Sequence, residues 1–206
     1  MRAEEIESLV RSGCAALGMA LSVGELGAVR GYVELLLKWN QRINLVGTKD
    51  VGLLVQHHIV DALVVAGFVP DDASRLVDVG SGAGIPGALI AICRPDLQVT
   101  ALEPVHKKQA FIAAVRRELG LENLHPLAVR MEAHRQAEGF ARYDVAVSRA
   151  TFAVPEWLSR GRTLVGTNGV ILAMEGRELH ELPEGAVRHA YTLGERQRAI
   201  VVLRVS

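Results

Sequence analysis

Residues 78–84 of this chain, Asp-Val-Gly-Ser-Gly-Ala-Gly, place a carboxylate directly before a glycine-dense turn. Glycine lacks a Cβ, so the backbone of such a turn adopts left-handed conformations easily and a ligand can lie against its amide groups. A second carboxylate, Glu103, follows about nineteen residues after Gly84 and is suited to accept two hydrogen bonds from ribose hydroxyls. This combination predicts a cofactor site; the alternative is a tight turn that binds no ligand.

The glycines fit two cofactor motifs that overlap. Residues 82–87, Gly-Ala-Gly-Ile-Pro-Gly, satisfy G-x-G-x-x-G, which is typical of nicotinamide and flavin sites. Residues 78–84 read D-x-G-x-G-x-G and resemble motif I of the class I S-adenosylmethionine-dependent methyltransferases. In both motifs the backbone amides of the loop receive the polar part of the cofactor. The elements around the turn must therefore separate the two interpretations.

Those elements predict a parallel sheet with helices on both faces. The apolar run at 75–79 is typical of a buried strand, and Pro86 suits the first turn of a helix. In such sheets ligands bind at the carboxyl ends of the strands, which is where the glycine turn lies. Helices and strands then alternate. Helices are predicted at 86–93, 106–119 and 155–164, strands at 98–103, 125–129, 143–148 and 170–174, and a short helix or loop at 132–140.

The two ends of the chain favour the methyltransferase motif. Residues 187–193 and 199–205, joined by a turn at 194–197, predict an antiparallel hairpin, which would complete a seven-stranded sheet. Three helical patterns begin at residue 3, at the capping box of residues 22–25 and at residue 50. A plain dinucleotide-binding domain lacks this helical prefix. We therefore predict an α/β fold, with an N-terminal helical extension over 1–70 packed on a Rossmann-like core over 71–206.

The composition narrows the class of protein. Half of the 206 residues are hydrophobic, yet no apolar run approaches the roughly 20 residues that a membrane span requires. The chain starts as an acidic helix rather than a signal peptide, which predicts a cytoplasmic protein. Cys14 and Cys93 are predicted to be buried free thiols. The formal net charge is zero, so affinity for nucleic acid would have to come from local basic clusters.

Several motifs beyond the glycine turn resemble the RsmG (GidB) family. They are Leu-Leu-Lys-Trp-Asn at 36–40, His-Ile-Val-Asp-Ala-Leu at 58–63, Ile-Pro-Gly at 85–87 and Ser-Arg-Ala-Thr-Phe at 148–152. The resemblance, which extends over about residues 30–176, implies a class I fold that uses S-adenosyl-L-methionine. It also implies methylation of N7 of a guanine in the 530 loop of bacterial 16S ribosomal RNA. The expected partner is then 16S ribosomal RNA or the small ribosomal subunit. The protein itself is expected to be a monomer.

The resemblance assigns roles to individual residues. Its implied cofactor contacts are Asp78, Gly80, Gly82, Gly84, Ile85, Glu103, Met131, Glu132 and Arg149, and its implied substrate contacts are His58, Asp61, Lys107 and Phe152. Guanine N7 carries a free lone pair at neutral pH, so no catalytic acid or base is expected. Catalysis should come from alignment and exclusion of water, with Arg149 orienting the substrate and Phe152 or Arg149 stacking on the target base.

Three positions depart from the family pattern: Glu175, His57 and Ala62, which replaces a serine. Glu175 stands where the family usually has a lysine, and an anion near phosphate would weaken RNA binding by about 1 kcal/mol if it is solvated. His57 replaces an arginine next to His58, but no metal-ligand spacing is present, so no metal site is predicted. His58 and Asp61, three residues apart on a predicted helix, are expected to share a structural hydrogen bond.

Three other functions remain as alternatives. The first is a small-molecule methyltransferase on the same fold, which would need a closed apolar pocket under the N-terminal helices. The second is a nicotinamide oxidoreductase, which the helical prefix and the hairpin disfavour. The third is a cofactor-binding assembly or sensor protein that has lost substrate binding, for which Glu175 is the only support. All three remain open because fold alone never fixes function.

Overall fold

The computed structural model describes residues 3–176 and 178–206. Four helices precede the sheet: α1 (Ala3–Ala15), α2 (Val23–Asn40), α3 (Val51–Leu54) and α4 (Asp61–Ala66). A π-helical turn, Val55–Val60, joins α3 to α4, where the sequence predicts a single continuous helix. The predicted capping box is confirmed at the start of α2. The Ser22 hydroxyl accepts the Glu25 N–H, and the Glu25 carboxylate accepts the Ser22 N–H.

The remaining elements alternate as predicted. The strands are β1 (Arg75–Val79), β2 (Gln98–Leu102), β3 (Leu124–Leu127), β4 (Tyr143–Arg149), β5 (Val165–Glu175), β6 (Ala186–Leu193) and β7 (Arg196–Arg204). The helices between them are α5 (Gly87–Cys93), α6 (His106–Leu119), α7 (Met131–Gln136) and α8 (Val154–Gly161).

The seven strands form one mixed sheet in the order β3-β2-β1-β4-β5-β7-β6. Strands β1 to β5 pair in parallel, whereas β7 pairs antiparallel with both β5 and β6. The predicted seven-stranded sheet with its C-terminal hairpin is therefore confirmed. The strand order reverses between β1 and β4, and such a switch point opens a crevice at the carboxyl ends of these two strands.

Two strands start well before the predicted residue, whereas the other strand boundaries lie within one or two residues of the prediction. β5 begins at Val165 instead of residue 170, because its early residues continue past an irregularity in the pairing with β4 between Tyr143 and Val145. The hairpin turn is tighter than predicted, since β7 already starts at Arg196 and leaves only Gly194 and Glu195 unpaired. Gly194 has a φ of +62°, the left-handed conformation that two-residue hairpin turns require.

The sheet is covered on both faces. The first hydrophobic cluster joins the N-terminal helices, α5 and α6 to one face, and the second packs α8 against the other. Ile6 of α1 and Leu36 of α2 belong to the same cluster as Leu76 of β1, so α1 and α2 share a core with the sheet. Among the described residues, no helix has both the length and the apolar character needed to cross a bilayer.

The two cysteines are free. Cys14 is buried as predicted, whereas Cys93 at the end of α5 is only half-buried. Burial nevertheless raises the pKa of the Cys93 thiol to about 12, which keeps it in the unreactive thiol form at neutral pH.

Candidate functional site

Asp78, near the carboxyl end of β1, holds the glycine turn in shape. Its side chain is fully buried, and Oδ2 accepts hydrogen bonds from the Ser81 hydroxyl and, at 2.9 Å, from the Gly87 N–H. A Cβ on Gly87 would lie 2.7 Å from this oxygen, so the close contact requires glycine. Burial raises the pKa of Asp78 to about 6, although both hydrogen bonds oppose that shift. Asp78 thus stabilises the shape of the glycine turn from the protein interior.

The glycines of the turn have different environments. Gly80, Gly82 and Gly84 all have positive φ angles, between +59° and +78°. Gly80 and Gly82 border an open cleft, whereas a Cβ on Gly84 would lie 3.1 Å from Ala88 in α5. Ile85 is buried in the core. The structure therefore places Gly80 and Gly82 against the space for a ligand, and Gly84 and Ile85 against protein.

The cleft has a volume of about 580 Å³ and lies at the switch point of the sheet. Its lining residues are Val79, Gly80, Gly82, Leu102, Glu103, Pro104, Lys108, Val129, Arg130, Met131, Glu132, Arg149, Ala150, Thr151, Phe152 and Arg160. We call it the cofactor cleft, because it brings together most of the predicted cofactor residues.

Glu103, just after β2, is fixed for binding a ligand in the cofactor cleft. Its two carboxylate oxygens accept the N–H groups of Gly82 and Val105, at 2.9 and 2.8 Å. Each oxygen retains a second lone pair, and the side chain borders the cleft. A ribose diol fits this acceptor, and the bare backbone at Gly80 fits a group lying flat on the turn. The donors and acceptors of the cleft thus suit S-adenosylmethionine.

The far wall of the cofactor cleft consists of packed side chains that include the predicted Met131, Glu132 and Phe152. Glu132 forms an ion pair with Arg160 at 3.0 Å, and the Arg160 guanidinium lies 5.0 Å from the centre of the Phe152 ring. The Phe152 ring is also nearly parallel to Trp157, with ring centres 5.9 Å apart. The sequence indicated Arg160 only as part of a local basic cluster with Arg162, and it gave no sign of Trp157, since α8 carried no motif.

Arg149, at the end of β4, separates the cofactor cleft from a second cleft of about 220 Å³. This second cleft, which we call the substrate cleft, is lined by His57, His58, Asp61, Arg149, Ala150, Met174, Glu175, Gly176, Arg196 and Arg198. Arg149 and Ala150 border both spaces. Ala150 has a φ of +53°, a left-handed conformation that is uncommon for a residue with a Cβ.

His58 and Asp61 both contact Arg149. An Arg149 N–H donates to His58 Nδ1 at 2.8 Å, and Arg149 Nη1 lies 3.9 Å from Asp61 Oδ2. Burial and the charge of Arg149 lower the pKa of His58 to about 4, so its ring is neutral at pH 7 and Nδ1 can accept. The side-chain pair thereby fixes the guanidinium at the border of the two clefts.

The predicted hydrogen bond between His58 and Asp61 is wrong. Among the described residues, these two side chains meet Arg149 and not each other. His58 lies in the π-helical turn, which ends at the residue before Asp61. A π-helix rotates each residue less than an α-helix does, so a spacing of three no longer places two side chains on one face. Such turns often occur at functional sites, and periodicity in the sequence did not reveal this one.

Glu175 does not present its charge to the substrate cleft as the sequence suggests. Its fully buried carboxylate accepts two hydrogen bonds from the Arg188 guanidinium, at 2.5 and 3.1 Å. The backbone N–H and ring Nδ1 of His180 lie 3.0 and 3.2 Å away. Burial raises the pKa of this carboxyl, but the bonds from Arg188 and His180 outweigh it and lower the pKa overall. The anion is thus neutralised within the protein, and the expected repulsion of phosphate is removed.

The structure places the predicted lysine outside both clefts. Lys107 is exposed on α6 and does not border either cleft, whereas the next residue, Lys108, lines the cofactor cleft. Adjacent residues on a helix point about 100° apart, and the sequence alone did not show which lysine faces the site. Among the described residues, no group of three or more His, Cys, Asp or Glu side chains could hold a metal ion.

The chain was compared with known proteins by sequence and by structure. The family model for rRNA small subunit methyltransferase G, GidB, matches residues 25–204. Two relatives named ribosomal RNA small subunit methyltransferase G are similar over most of their length. The protein from Anaeromyxobacter dehalogenans is 41% identical over 84% of this chain and 79% of its own. The protein from Burkholderia pseudomallei is 39% identical over 89% and 82%.

Solved structures agree on the fold. A methyltransferase from Geobacter sulfurreducens has a TM-score of 0.63 over 95% of this chain and 96% of its own, with 14% identity. TrmN from Thermus thermophilus has a TM-score of 0.52 over 73% and 53%, with 16% identity. The sheet order and these neighbours establish the class I methyltransferase fold. The family match covers both clefts, and the chain belongs to the rRNA small subunit methyltransferase G family.

Proposed function

We propose that this protein transfers a methyl group from S-adenosyl-L-methionine to N7 of a guanine in the 530 loop of 16S ribosomal RNA. Membership of the family supplies the class of reaction, S-adenosylmethionine-dependent methylation of small-subunit ribosomal RNA. The observation that carries the proposal is the border between the two clefts, where Arg149 and Ala150 line both. A cofactor in one cleft and a base in the other would meet there.

The cofactor cleft would hold S-adenosyl-L-methionine through a few defined contacts. Glu103 would accept the ribose hydroxyls, and Gly80 and Gly82 would lie against the methionine and ribose end. Met131 and Glu132 would border the adenine at the start of α7. Asp78, Gly84 and Ile85 would act indirectly by shaping the turn, since they face the interior. When bound, the cofactor supplies an electrophilic methyl group on a sulfonium.

The residues around the methyl group need only position the base. Guanine N7 is already unprotonated, so no residue has to remove a proton. His58 is neutral and engaged with Arg149, which suits a role in orientation rather than in proton transfer. Arg149 would align the base with the methyl group, and the Phe152 wall would exclude water. Phe152 contacts Trp157 and Arg160, and Arg149 contacts His58 and Asp61, so both candidates to stack on the base are held in place by neighbouring side chains.

The charged lining of the substrate cleft disfavours the alternative of an apolar small-molecule substrate. An apolar pocket of about 140 Å³ does exist between α1 and α2, but its lining residues do not overlap those of the cofactor cleft. We further propose that the protein acts as a cytoplasmic monomer, without a metal ion, on 16S ribosomal RNA or on the small ribosomal subunit.

The test is transfer of labelled methyl from S-adenosyl-L-methionine to small ribosomal subunits that lack this modification. We expect label at one guanine N7 of the 530 loop, mapped by reductive cleavage of the RNA. The Arg149→Ala variant should lose at least tenfold in the rate of transfer even at saturating S-adenosyl-L-methionine, because the base is no longer aligned. Label at another atom or outside the loop would overturn the assignment of the substrate.

A further inference from the structure

Asp61 is the one acidic side chain that the substrate cleft presents among the described residues, apart from the neutralised Glu175. Its Oδ1 accepts a hydrogen bond from the Tyr191 hydroxyl at 2.6 Å. Within the described part of the chain, Oδ2 has no hydrogen-bond donor and only the long ion pair with Arg149 at 3.9 Å. The carboxylate is therefore held by β6 from one side, while its second oxygen is available to a ligand.

Arg198, on β7, supplies the opposite kind of group beside it. Its Nε lies 3.7 Å from Asp61 Oδ1 and, among the described residues, is buried without a hydrogen-bond partner. An unsatisfied buried donor is costly, so such a group in a cleft suggests a ligand acceptor. The substrate cleft thus presents an unused acceptor and an unused donor close together.

Guanine has the complementary pattern on one edge. Its N1–H and N2–H₂ groups are adjacent donors, and its O6 beside them is an acceptor, whereas adenine has an acceptor at N1, a donor at N6 and only C–H at position 2. Enzymes that act on an extruded base read it through this Watson–Crick edge. N7 lies on the other side of O6, so a guanine held by this edge keeps N7 free.

We infer that the substrate cleft selects guanine through its Watson–Crick edge, with Asp61 accepting from N1–H and N2–H₂ and Arg198 donating to O6. Asp61 would accept through Oδ2 and through the second lone pair of Oδ1, beside the bond from Tyr191. The inference rests on the proposed function and names how its substrate is recognised. The base then enters with N7 directed to the border formed by Arg149 and Ala150. The volume of about 220 Å³ lies below the roughly 300–1,000 Å³ typical of drug-sized ligands and suits a single base.

A phosphate group is a poorer occupant of the same space. Although Arg149, Arg196 and Arg198 line the cleft, the free oxygen of Asp61 would repel an anion there. Burial raises the pKa of Asp61, and Arg149 and Arg198, which both lie within 4 Å of its carboxylate, oppose that rise. An ionised carboxylate with a free oxygen selects a donor edge.

The test replaces the target guanine by inosine, which lacks only the 2-amino group and keeps O6, N1–H and N7. Small ribosomal subunits carrying either base are methylated by the wild-type protein and by Asp61→Asn. The wild type should show a kcat/KM about 10- to 100-fold lower for inosine, the usual effect of a hydrogen bond to a charged group. The Asp61→Asn variant should lose activity on guanine, so that its kcat/KM values for guanine and inosine become nearly equal.

Three controls separate the outcomes. Asp50→Asn makes the same chemical change at the start of α3, where asparagine also caps well, and should behave as the wild type. Tyr191→Phe keeps the Asp61 carboxylate but removes the hydrogen bond that holds it in place. This variant should transfer the methyl group more slowly and still prefer guanine over inosine. Binding of S-adenosylmethionine reports whether each variant is folded, because Asp61 does not line the cofactor cleft.

Equal rates of wild-type transfer to guanine and inosine would overturn the recognition by Asp61 and leave the proposed function intact. If the ratio of kcat/KM for guanine to that for inosine is the same in Asp61→Asn as in the wild type, another residue recognises the amino group. That result would also overturn the recognition by Asp61. Absence of transfer from the wild type to guanine would instead overturn the proposed function, and this inference with it.

Discussion

At the scale of single residues, Gly80 is the position where a side chain is least tolerable. Its φ is +72°, and a Cβ would lie 2.2 Å from the Thr151 hydroxyl, in the loop after β4 that borders both clefts. Gly18 has nearly the same φ, +69°, but a Cβ there would meet nothing within 4 Å. Alanine substitutions at these two glycines therefore separate the cost of backbone strain from the cost of steric overlap at the site.

We expect Gly80→Ala to weaken binding of S-adenosylmethionine at least tenfold and to lower the free energy of unfolding by more than Gly18→Ala does. Gly18→Ala should cost only the left-handed backbone strain, about 1–2 kcal/mol, and leave cofactor affinity unchanged. Calorimetric titration and urea denaturation measure the two effects. Cofactor affinity in Gly80→Ala equal to that of the wild type would contradict the placement of the cofactor against the turn.

Asp78 makes stability depend on pH. Because burial raises its pKa to about 6, the folded protein binds more protons than the unfolded chain between about pH 4 and pH 6. The contribution of Asp78 to the free energy of unfolding therefore falls as the pH rises through this window. Asp78→Asn removes the ionisation, so from pH 4 to pH 7 the variant should gain about 2–3 kcal/mol relative to the wild type.

Urea denaturation of the wild type and Asp78→Asn at pH 4.5, 6 and 7.5 measures this difference. Asp61 titrates in both proteins, and burial raises its pKa too, so only the difference between them reports on Asp78. A difference in unfolding free energy that stays constant over the three pH values would show that the Asp78 carboxyl is not perturbed.

At the scale of elements, the N-terminal helices hold the glycine turn in place. The Tyr32 hydroxyl of α2 donates to the Ala83 carbonyl at 2.6 Å, inside the turn, and the Tyr32 and Trp39 rings both pack on Phe111 of α6. We propose that residues 1–70 form an extension whose task is to hold this turn. That task explains why the helical prefix shares its hydrophobic core with the sheet.

Tyr32→Phe should lower the free energy of unfolding by about 1–3 kcal/mol, because a buried carbonyl loses its donor, and should weaken cofactor binding several-fold. Tyr143→Phe is the matched control, since the Tyr143 hydroxyl bonds His134 at the other end of β4. The control should lose stability without losing affinity for S-adenosylmethionine. An equal change of affinity in the two variants would show that the hydrogen bond to Ala83 does not order the turn.

At the scale of the whole molecule, the charge balance conceals a local basic surface. The chain has 23 basic and 23 acidic residues, yet Arg196 and Arg198 gather with Arg149 around the substrate cleft. An outer cleft beside it contains Gln56, His57 and the hairpin turn at Gly194. Neutral proteins can therefore bind RNA through a localised set of arginines, and net charge alone decides little.

Arg196→Gln should weaken binding of small ribosomal subunits and reduce the slope of log affinity against log salt concentration by about 0.7–0.9 if the exposed Arg196 contacts one phosphate. Arg204→Gln, at the other end of β7, makes the same change away from both clefts and should leave the slope unaltered. Filter binding at several salt concentrations measures the slopes. Identical slopes for the two variants would place the RNA on another surface.

The sequence by itself determined the class of fold and the cofactor turn. Strand and helix periodicity follow from local spacing, and the residues at 78–84 are contiguous, so short-range rules sufficed for both. The tertiary structure alone decided which side chains meet. Glu175 is neutralised by Arg188 from β6, Arg149 is held by His58 from the π-helical turn, and Lys108, not Lys107, lines the cofactor cleft. The first two contacts join residues far apart in the chain, which local spacing does not encode. The third depends on how α6 is oriented, because helix periodicity gives the angle between neighbouring side chains but not which of them faces the cleft.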